Sequence, residues 1–305
     1  MQIKFWGVRG SIPCPGYDTI KYGGNTPCIE LYFKEADRLI IIDAGSGIRD
    51  LGNYMIAHDL QKGRIRADIF LTHTHIDHIL GFPFFAPIYL PATKLKVYGP
   101  VTYENKSLKE VLEGQLTYRY FPVRLTELAA DIEYINLQEG RLNLGDDIKL
   151  TTKYLNHPIL CFGYRFEYRS KIFCTIYDTE PFRNIFCTDP ENPLYDKAMA
   201  MEGNLTAREE NKRVEEFFAG ADLLVYDAQY DQKEYDTGKI GWGHTPIEYA
   251  IKAAGRSGVK RLSLFHHDPM RTDEHLDFLS DKFCCPENRE TAEVFFAREG
   301  MTIKL

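Results

Sequence analysis

The sequence predicts an α/β fold, and two observations support this. Short runs of β-branched and aromatic residues alternate along the chain with amphipathic stretches of helical periodicity. The composition is also that of a folded globular protein, since 44% of the 305 residues are hydrophobic and 27% are charged. No internal repeat, low-complexity tract or glycine–serine linker interrupts the alternation. One domain spanning residues 1–305 is therefore expected.

The predicted strands are short and rich in β-branched or aromatic residues. They are Ile3–Phe5, Cys28–Phe33, Arg38–Asp43, Ala67–Thr72, Leu95–Tyr98, Ile148–Tyr154, Phe162–Tyr168, Lys171–Tyr177, Leu223–Tyr226 and Arg261–Phe265. The predicted helices are Ile48–Leu60, Ser107–Leu116, Thr206–Phe218, Pro246–Ala254, Asp273–Leu279 and Arg289–Arg298. The helix at 246 carries the clearest start signals: Thr245 as its cap, Pro246 at its first position and Glu248 completing a capping box.

Two segments break this alternation. Gly114–Leu125 is aromatic and basic, whereas Pro181–Leu205 contains three prolines and little periodicity. Each could form a lid or the contact of a homodimer. A surface loop is the alternative, and it is favoured for the second segment.

The net charge of the chain bears on whether its partner is a nucleic acid. Lys and Arg total 37 against 44 Asp and Glu, which gives a formal net charge of −7. Proteins that bind long nucleic acids usually carry a basic face, so an extended nucleic acid is not the favoured partner. No signal-peptide pattern and no apolar run of membrane-spanning length occurs. A cytoplasmic protein without a membrane partner is therefore expected.

Three of the nine histidines lie within six residues of one another. His73, His75 and His78 follow the apolar run 69–71, and Asp77 precedes the last of them. A loop at the end of a buried strand can aim these side chains at one point, and imidazole and carboxylate groups are ligands of zinc-like ions. Four potential ligands exceed what one ion takes from a single segment, which predicts two adjacent ions. The alternatives are a histidine-rich loop without metal and a single structural zinc site.

The pattern His73-x-His75-x-Asp77-His78 resembles the signature of the metallo-β-lactamase superfamily. Other motifs follow in the family's order over nearly the whole chain. Four further segments are similar to motifs of this family: the glycine-rich turn 43–47, the histidine motif 156–158, the Asp-Thr motif 177–181 and the final histidine motif 264–269. Residues 5–13 and 22–26 resemble a bacterial group within the superfamily. The motif at 156–158 resembles that of the tRNase Z and phosphodiesterase branch. The resemblance implies a four-layer αββα sandwich, with two mixed sheets packed face to face and helices outside.

The resemblance also implies two divalent ions per chain and divides the ligands between them. One ion would be held by His73, His75 and His157, and the second by Asp77, His78 and His266. Asp178 would bridge the ions, and a shared carboxylate suits two cations that repel each other. Zinc is the expected metal, with manganese and iron as alternatives.

Adjacent side chains after a strand point to opposite sides, so only one of His266 and His267 is expected to bind metal. The family motif selects His266. His267 and Ser46 are then predicted either to contact substrate or to support the ligands.

The branch motifs further imply a proton donor. The sequence Gly243-His244-Thr245 is similar to the His-Ser-Thr loop of tRNase Z, and Asp227 stands where that branch has a glutamate. His244 would protonate the departing alkoxide or contact phosphate, and Asp227, which is one methylene shorter than glutamate, would orient it. The predicted catalytic residues are therefore Asp77, His244 and Asp227.

Taken with the branch motifs, the predicted function is metal-dependent hydrolysis of a small phosphodiester, such as a cyclic nucleotide. The first alternative is endonucleolytic tRNA processing, although the chain lacks an evident glycine-rich and basic arm for tRNA. The second is hydrolysis of a carbonyl ester, thioester or lactone, because a fold does not fix a function. A non-catalytic metal-dependent sensor and a diiron redox protein are the remaining alternatives.

Overall fold

The computed structural model describes residues 1–101, 106–284 and 293–305. Its strands are β1 Gln2–Gly7, β2 Cys28–Phe33, β3 Arg38–Ile42, β4 Ile65–Phe70, β5 Thr93–Pro100, β6 Asp131–Leu137, β7 Gly140–Asn143, β8 Ile148–Tyr154, β9 Phe162–Tyr168, β10 Lys171–Ile176, β11 Leu223–Asp227, β12 Arg261–Phe265, β13 Glu293–Phe296 and β14 Thr302–Lys304. Its helices are α1 Ile48–His58, α2 Ile76–Ile79, α3 Leu108–Gln115, α4 Lys197–Phe218, α5 Gln232–Asp236, α6 Ile247–Arg256 and α7 Asp273–Phe283. None of these helices is both long enough and apolar enough to cross a lipid bilayer.

The strands form two seven-stranded sheets, and both sheets are mixed. The first has the order β14-β1-β2-β3-β4-β5-β6; it is antiparallel from β14 to β3 and parallel from β3 to β6. The second has the order β13-β12-β11-β10-β9-β8-β7; it is parallel from β13 to β10 and antiparallel from β10 to β7.

Three buried clusters fill the spaces between four layers. Leu31 and Ile42 of the first sheet meet Phe166 and Val225 of the second in the cluster between the sheets. A second cluster packs α4, α6 and α7 on the outside of the second sheet, and a third packs α1 and α3 on the outside of the first. Each large apolar side chain buried in this way contributes about 1.5–3 kcal/mol relative to exposure. The layers confirm the predicted αββα sandwich.

Two element predictions were wrong. Residues 289–292 of the predicted helix Arg289–Arg298 lie outside the described residues, and 293–296 form β13, which pairs in parallel with β12. Val294 and Phe296 are buried while Glu293 is exposed, an alternation of period two. Within Pro181–Leu205, α4 already begins at Lys197, and the side chain of Asp196 caps it by accepting the Met199 N–H. Few residues of its first half are buried, so the apolar periodicity that marks a helix in sequence is weak there.

The cap predicted at Thr245 was also wrong. Helix α6 is preceded by Pro246 without a side-chain cap, and Glu248 accepts the backbone N–H of Gln232 instead of completing a capping box. The Thr245 hydroxyl donates to the carbonyl of Thr179 at 2.6 Å. Thr245 therefore ties its loop to the end of β10 and does not stabilise the helix end.

The carboxyl ends of strands from both sheets meet at one edge of the sandwich. Strands β3 and β4 of the first sheet end at 42 and 70, and β10, β11 and β12 of the second end at 176, 227 and 265. A hydrogen bond from the Phe162 N–H to the Thr72 carbonyl, 2.9 Å long, joins the two sheets there. Every motif with predicted chemistry follows or lies close to one of these strand ends. The single-domain organisation remains a prediction.

Candidate metal centre

The first four predicted ligands lie on the connection from β4 into α2. His75 has extended backbone and precedes the helix, which begins at Ile76. Asp77 and His78 lie in the single turn of α2, and the His78 N–H donates to the His75 carbonyl at 3.1 Å. His73, Asp77 and His78 are buried and His75 is half-buried. The connection and the short helix together thus place four side chains with ligand atoms in a largely buried position.

Two groups of ligand atoms converge in this space. His73, His75, His157 and Asp178 form one group, and Asp77, His78, Asp178 and His266 form the other; within each, the ligand atoms lie within 4.8 Å of one another. The groups share only Asp178. This is the same division of ligands that the family resemblance implied.

Asp178 faces both groups, with one carboxylate oxygen toward each. Its Oδ2 lies 3.5 Å from Nε2 of His73, in the first group. Its Oδ1 lies 3.2 Å from Nε2 of His78 and 3.3 Å from Nε2 of His266, in the second group. A carboxylate placed in this way can bind two cations at once.

The spacing of the ligand atoms fits divalent ions. At bond lengths of about 2.0–2.1 Å, two ligands on a tetrahedral ion lie roughly 3.3 Å apart. The corresponding distances are 3.1 Å between His75 Nδ1 and His157 Nε2, and 3.2 Å between Asp77 Oδ2 and His266 Nε2. Nε2 of His73 and Oδ1 of Asp178 are buried without a hydrogen-bond partner among the described residues, so each offers a lone pair that a cation can use.

The charges of the site also fit cations. Burial lowers the pKa of His73 well below its ordinary value and that of His157 to about 4, so both imidazoles are neutral and able to bind metal. Around His78 the balance is reversed: burial lowers its pKa, but the charges of Asp178, Asp77 and Asp43 outweigh burial and raise it. The region near His78 therefore carries excess negative charge, which metal ions would neutralise on displacing the proton.

Several ligands are oriented by partners behind them. The Nδ1–H of His78 donates to Asp43 Oδ2 at 2.7 Å, and the Nδ1–H of His157 donates to the Gly243 carbonyl at 3.0 Å. These bonds leave Nε2 of each ring free to bind a metal ion. The backbone N–H of Ser11 donates to Asp77 Oδ2 at 2.8 Å.

Sequence reasoning missed these supporting residues. Asp43 opens the glycine-rich turn, and that position was the available signal; Ser11 lies in the opening motif, whose contact with Asp77 spans 66 residues of sequence. Asp43 and His266 also hold left-handed backbone, with φ of 61° and 63°. Such angles are costly for residues other than glycine and persist where the surroundings fix them, often at functional sites.

His244 and Asp227 form a pair beside the second group. The Nδ1–H of His244 donates to Asp227 Oδ2 at 3.0 Å, so the shorter aspartate does make direct contact. The His244 ring stacks on that of His266, with 5.0 Å between centroids, and is 9% exposed. Burial lowers the pKa of His244, but the charge of Asp227 and its hydrogen bond outweigh this and raise the value to about 9. The contact with Asp227 thus favours the protonated form of an imidazole at the edge of the metal centre.

Asp227 is itself held in place. Its Oδ2 accepts the N–H groups of Thr179 and Thr245, at 3.3 and 3.2 Å, and the residue is fully buried. Its carboxylate therefore links the end of β10 to the loop that carries His244.

The two remaining predicted residues lie away from the ligand groups. Nε2 of His267 donates to the Ala297 carbonyl at 2.8 Å, and burial lowers the pKa of this histidine to about 3. Ser46 bonds to Asn25 and Thr26, its hydroxyl donating to Asn25 Oδ1 at 2.9 Å. Both residues support the chain near the site, and neither belongs to a metal-ligand group.

Comparison with known proteins agrees with this description. Residues 38–191 match the model of the β-lactamase superfamily domain. A Ribonuclease Z from Lactococcus lactis subsp. lactis (strain IL1403) is 26% identical over 298 residues, covering 87% of this chain and 88% of that protein. Among solved structures, the metallo-β-lactamase fold protein YhfI from Bacillus subtilis has a TM-score of 0.64 at 18% identity and covers 99% of both chains. A diphosphatase of the PhnP family has a TM-score of 0.63 at 16% identity, covering 100% of this chain and 97% of its own.

The family match includes the strand–loop–helix that supplies His73 to His78 and extends past Asp178. The relatives agree with the predicted tRNase Z and phosphodiesterase-like branch and with the predicted enzyme class, a metal-dependent hydrolase. The chain therefore belongs to the β-lactamase superfamily.

Proposed function

We propose that this protein is a phosphodiesterase that holds two divalent ions, zinc being the first choice, and hydrolyses a small phosphodiester. The observation that carries the proposal is the His244–Asp227 pair beside two ligand groups that share Asp178. Ester hydrolysis with a poor leaving group needs both an activated nucleophile and a proton for the departing oxygen. Here both functions would be supplied within one buried site.

His73, His75 and His157 would hold one ion, Asp77, His78 and His266 the other, and Asp178 both. When bound, such a pair of ions supplies an activated water and positive charge for the phosphoryl oxygens. Asp77 has its pKa held low, because the charge of His78 and the bond from His266 outweigh burial. It would therefore remain an ionised ligand and would not exchange protons.

His244 would act as the general acid. With Nδ1–H engaged by Asp227, Nε2 is the atom that would donate a proton to the leaving oxygen. Asp227 would stabilise the imidazolium before transfer and hold the ring in one orientation throughout. The stacking of His244 on His266 would keep the donor next to the second ligand group.

The substrate we propose first is small, such as a cyclic nucleotide. The net charge of −7 and the 16%-identical diphosphatase of similar fold are compatible with a compact phosphate ester. The second candidate is an RNA end, which the similarity to Ribonuclease Z over 87% of the chain favours. The two differ in whether a long polyanion must lie on the protein surface.

A substrate screen separates these candidates. We expect the metal-loaded protein to hydrolyse bis(p-nitrophenyl) phosphate and cyclic AMP, to lose both activities in excess chelator, and to leave precursor tRNA intact. Cleavage of precursor tRNA alone would establish the second candidate. Activity on acyl esters or lactones without activity on phosphodiesters would contradict the proposal.

The general acid is tested by His244→Ala. Turnover of cyclic AMP, whose leaving group is an alkoxide, should fall by about 10²–10⁴. Turnover of bis(p-nitrophenyl) phosphate should fall far less, because nitrophenolate leaves without a proton. His58→Ala, at an exposed histidine of α1, is the matched control and should leave both rates unchanged. Equal losses on both substrates would show that His244 is not a proton donor.

A further inference from the structure

The side chain of Glu180 packs against the loop 237–245, which carries His244. This side chain is buried, with 5% relative exposure. The carboxylate accepts the backbone N–H of Gly241 at 2.9 Å, that of Gly243 at 3.1 Å and the hydroxyl of Tyr235 at 2.5 Å. The half-exposed Arg183 adds an ion pair at 3.1 Å from its Nε. A single acidic group thus satisfies two main-chain donors of the segment 237–245.

The backbone of Glu180 is joined to a predicted metal ligand on each side. It follows Asp178 by two residues. Its N–H donates to the carbonyl of Asn156, and its own carbonyl accepts from Asn156 Nδ2, both at 2.9 Å. Asn156 immediately precedes His157. Glu180 is therefore fixed to the same framework as two ligands of the first group.

Thr245 and Asp227 hold the end of this loop, and Glu180 holds the main chain that precedes His244. Gly241 and Gly243 hold left-handed backbone, with φ of 86° and 81°. A Cβ on Gly243 would lie 2.5 Å from Nδ1 of His157, so the main chain itself packs on the ligand. The N–H of Gly243 donates to Glu180 while its carbonyl accepts from His157. The position of the next residue, His244, depends on both contacts.

We propose that Glu180 is a positioning residue for proton transfer: its carboxylate holds the 237–245 loop so that His244 faces the metal centre. The inference rests on the proposed function, in which His244 donates the proton. Glu180 itself touches neither the ligand atoms nor the leaving group. Its effect is exerted through Gly241 and Gly243. Because the Gly243 carbonyl also accepts from His157, the test uses saturating zinc, where the effect should be visible only in steps that need His244.

The test is Glu180→Gln, which keeps the size of the side chain but replaces one acceptor oxygen with an NH₂ group. With the NH₂ group at the Oε2 position, both glycine N–H groups meet a donor. With it at the Oε1 position, they keep only a neutral acceptor and the ion pair with Arg183 is lost, so either orientation loosens the loop. In the zinc-loaded protein we expect turnover of cyclic AMP to fall roughly 10–100-fold, since small misplacements of a catalytic group have costs of this order. Turnover of bis(p-nitrophenyl) phosphate should stay within about threefold. Glu248→Gln, which alters a half-buried carboxylate that accepts the Gln232 N–H, is the matched control and should change neither rate.

A double-mutant cycle separates positioning from general stability. If Glu180 acts through His244, then Glu180→Gln has no further effect, within about threefold, in the His244→Ala background. Losses that multiply in the double variant, or equal losses on both substrates in the single variant, would overturn the inference while leaving the proposed function intact.

Hydrogen exchange provides a measurement that does not depend on turnover. Backbone amides of 237–245 should exchange faster in Glu180→Gln than in the wild-type chain, while amides of α6 keep their protection. Unchanged exchange in the loop would overturn the inference. If the wild-type protein fails to turn over both substrates, it is the proposed function that fails, and exchange alone then decides the anchoring role of Glu180.

Discussion

Replacing Asp43 by asparagine should weaken the binding of one of the two proposed metal ions and leave the binding of the other almost unchanged. Asp43 is fully buried and belongs to neither group of ligands. Its Oδ2 accepts the Nδ1–H of His78 at 2.7 Å and the Thr72 hydroxyl at 2.8 Å, and its Oδ1 accepts the Thr72 N–H at 2.7 Å. Both carboxylate oxygens of Asp43 therefore accept hydrogen bonds. Asparagine has the same shape but only one acceptor oxygen, so it cannot reproduce all of these bonds.

Two outcomes are open to the asparagine, and both weaken the site. If its NH₂ group faces His78, the ring must accept at Nδ1 and carry its proton on Nε2, the atom that would bind metal. If its oxygen faces His78, the NH₂ group meets the Thr72 N–H, and a buried donor loses its partner at a cost of about 1–3 kcal/mol. Changes behind metal-binding histidines typically cost 10–100-fold in affinity, about 1.4–2.7 kcal/mol, which is the same range.

The assay is a zinc titration of the apo-protein against a competing chelator, read as two binding steps. We expect Asp43→Asn to weaken one step by 10–100-fold and to leave the other within about threefold. Asp222→Asn is the matched control, because Asp222 is also buried and accepts a backbone N–H, from Ile172 at 2.9 Å, but lies far along the sheet from the ligands. Equal weakening of both steps, or the same result in Asp222→Asn, would refute the reasoning.

Two further predictions concern stability. Burial raises the pKa of Glu30 above its ordinary 4.5, although the hydrogen bond from the Trp6 indole opposes this rise. The protonated Glu30 therefore contributes its full share to the free energy of unfolding below pH 4.5, and this contribution is lost as pH rises through the folded-state pKa. Glu30→Gln should accordingly be more stable than wild type to urea at pH 7, with a difference that shrinks toward zero below pH 4.5; a difference independent of pH would contradict this. Gly10→Ala would place a Cβ 2.5 Å from the ring of His266 and should lower the free energy of unfolding by about 1–3 kcal/mol with loss of metal, whereas Gly114→Ala, in open space on α3, should raise it by about 0.5–1 kcal/mol. Calorimetry and metal analysis check both glycine variants.

Much of the fold was predictable from local pattern. Strands such as β8 and β9 were found at their observed bounds because they are runs of β-branched and aromatic residues. Strands β6, β7 and β14 were missed, since they carry alternating charged or polar residues at the sheet edges, where burial is incomplete. Pairing with a neighbour, rather than propensity, makes these segments strands.

The site, like the fold, was predictable only in part from the sequence. The ligands could be proposed because His73 to His78 are close in sequence and because the distant motifs resemble a family. The supports could not, since the bond from Ser11 to Asp77 and that from Gly243 to Glu180 join main-chain groups to residues over 60 positions away. Backbone donors leave no trace in residue identity. The aspartate in place of glutamate at 227 shows the same limit: only the tertiary structure decides that it reaches His244.

The distribution of ligands along the chain has a consequence for how the protein is made. One sheet carries His73, His75, Asp77 and His78, and the other carries His157, Asp178 and His266, so neither sheet holds a complete group by itself. A nascent chain that has not yet emerged beyond position 266 has no finished pocket for the second ion. Metal uptake should then come late in biogenesis, after the two halves of the sandwich have docked. The bound ions would then cross-link the two sheets.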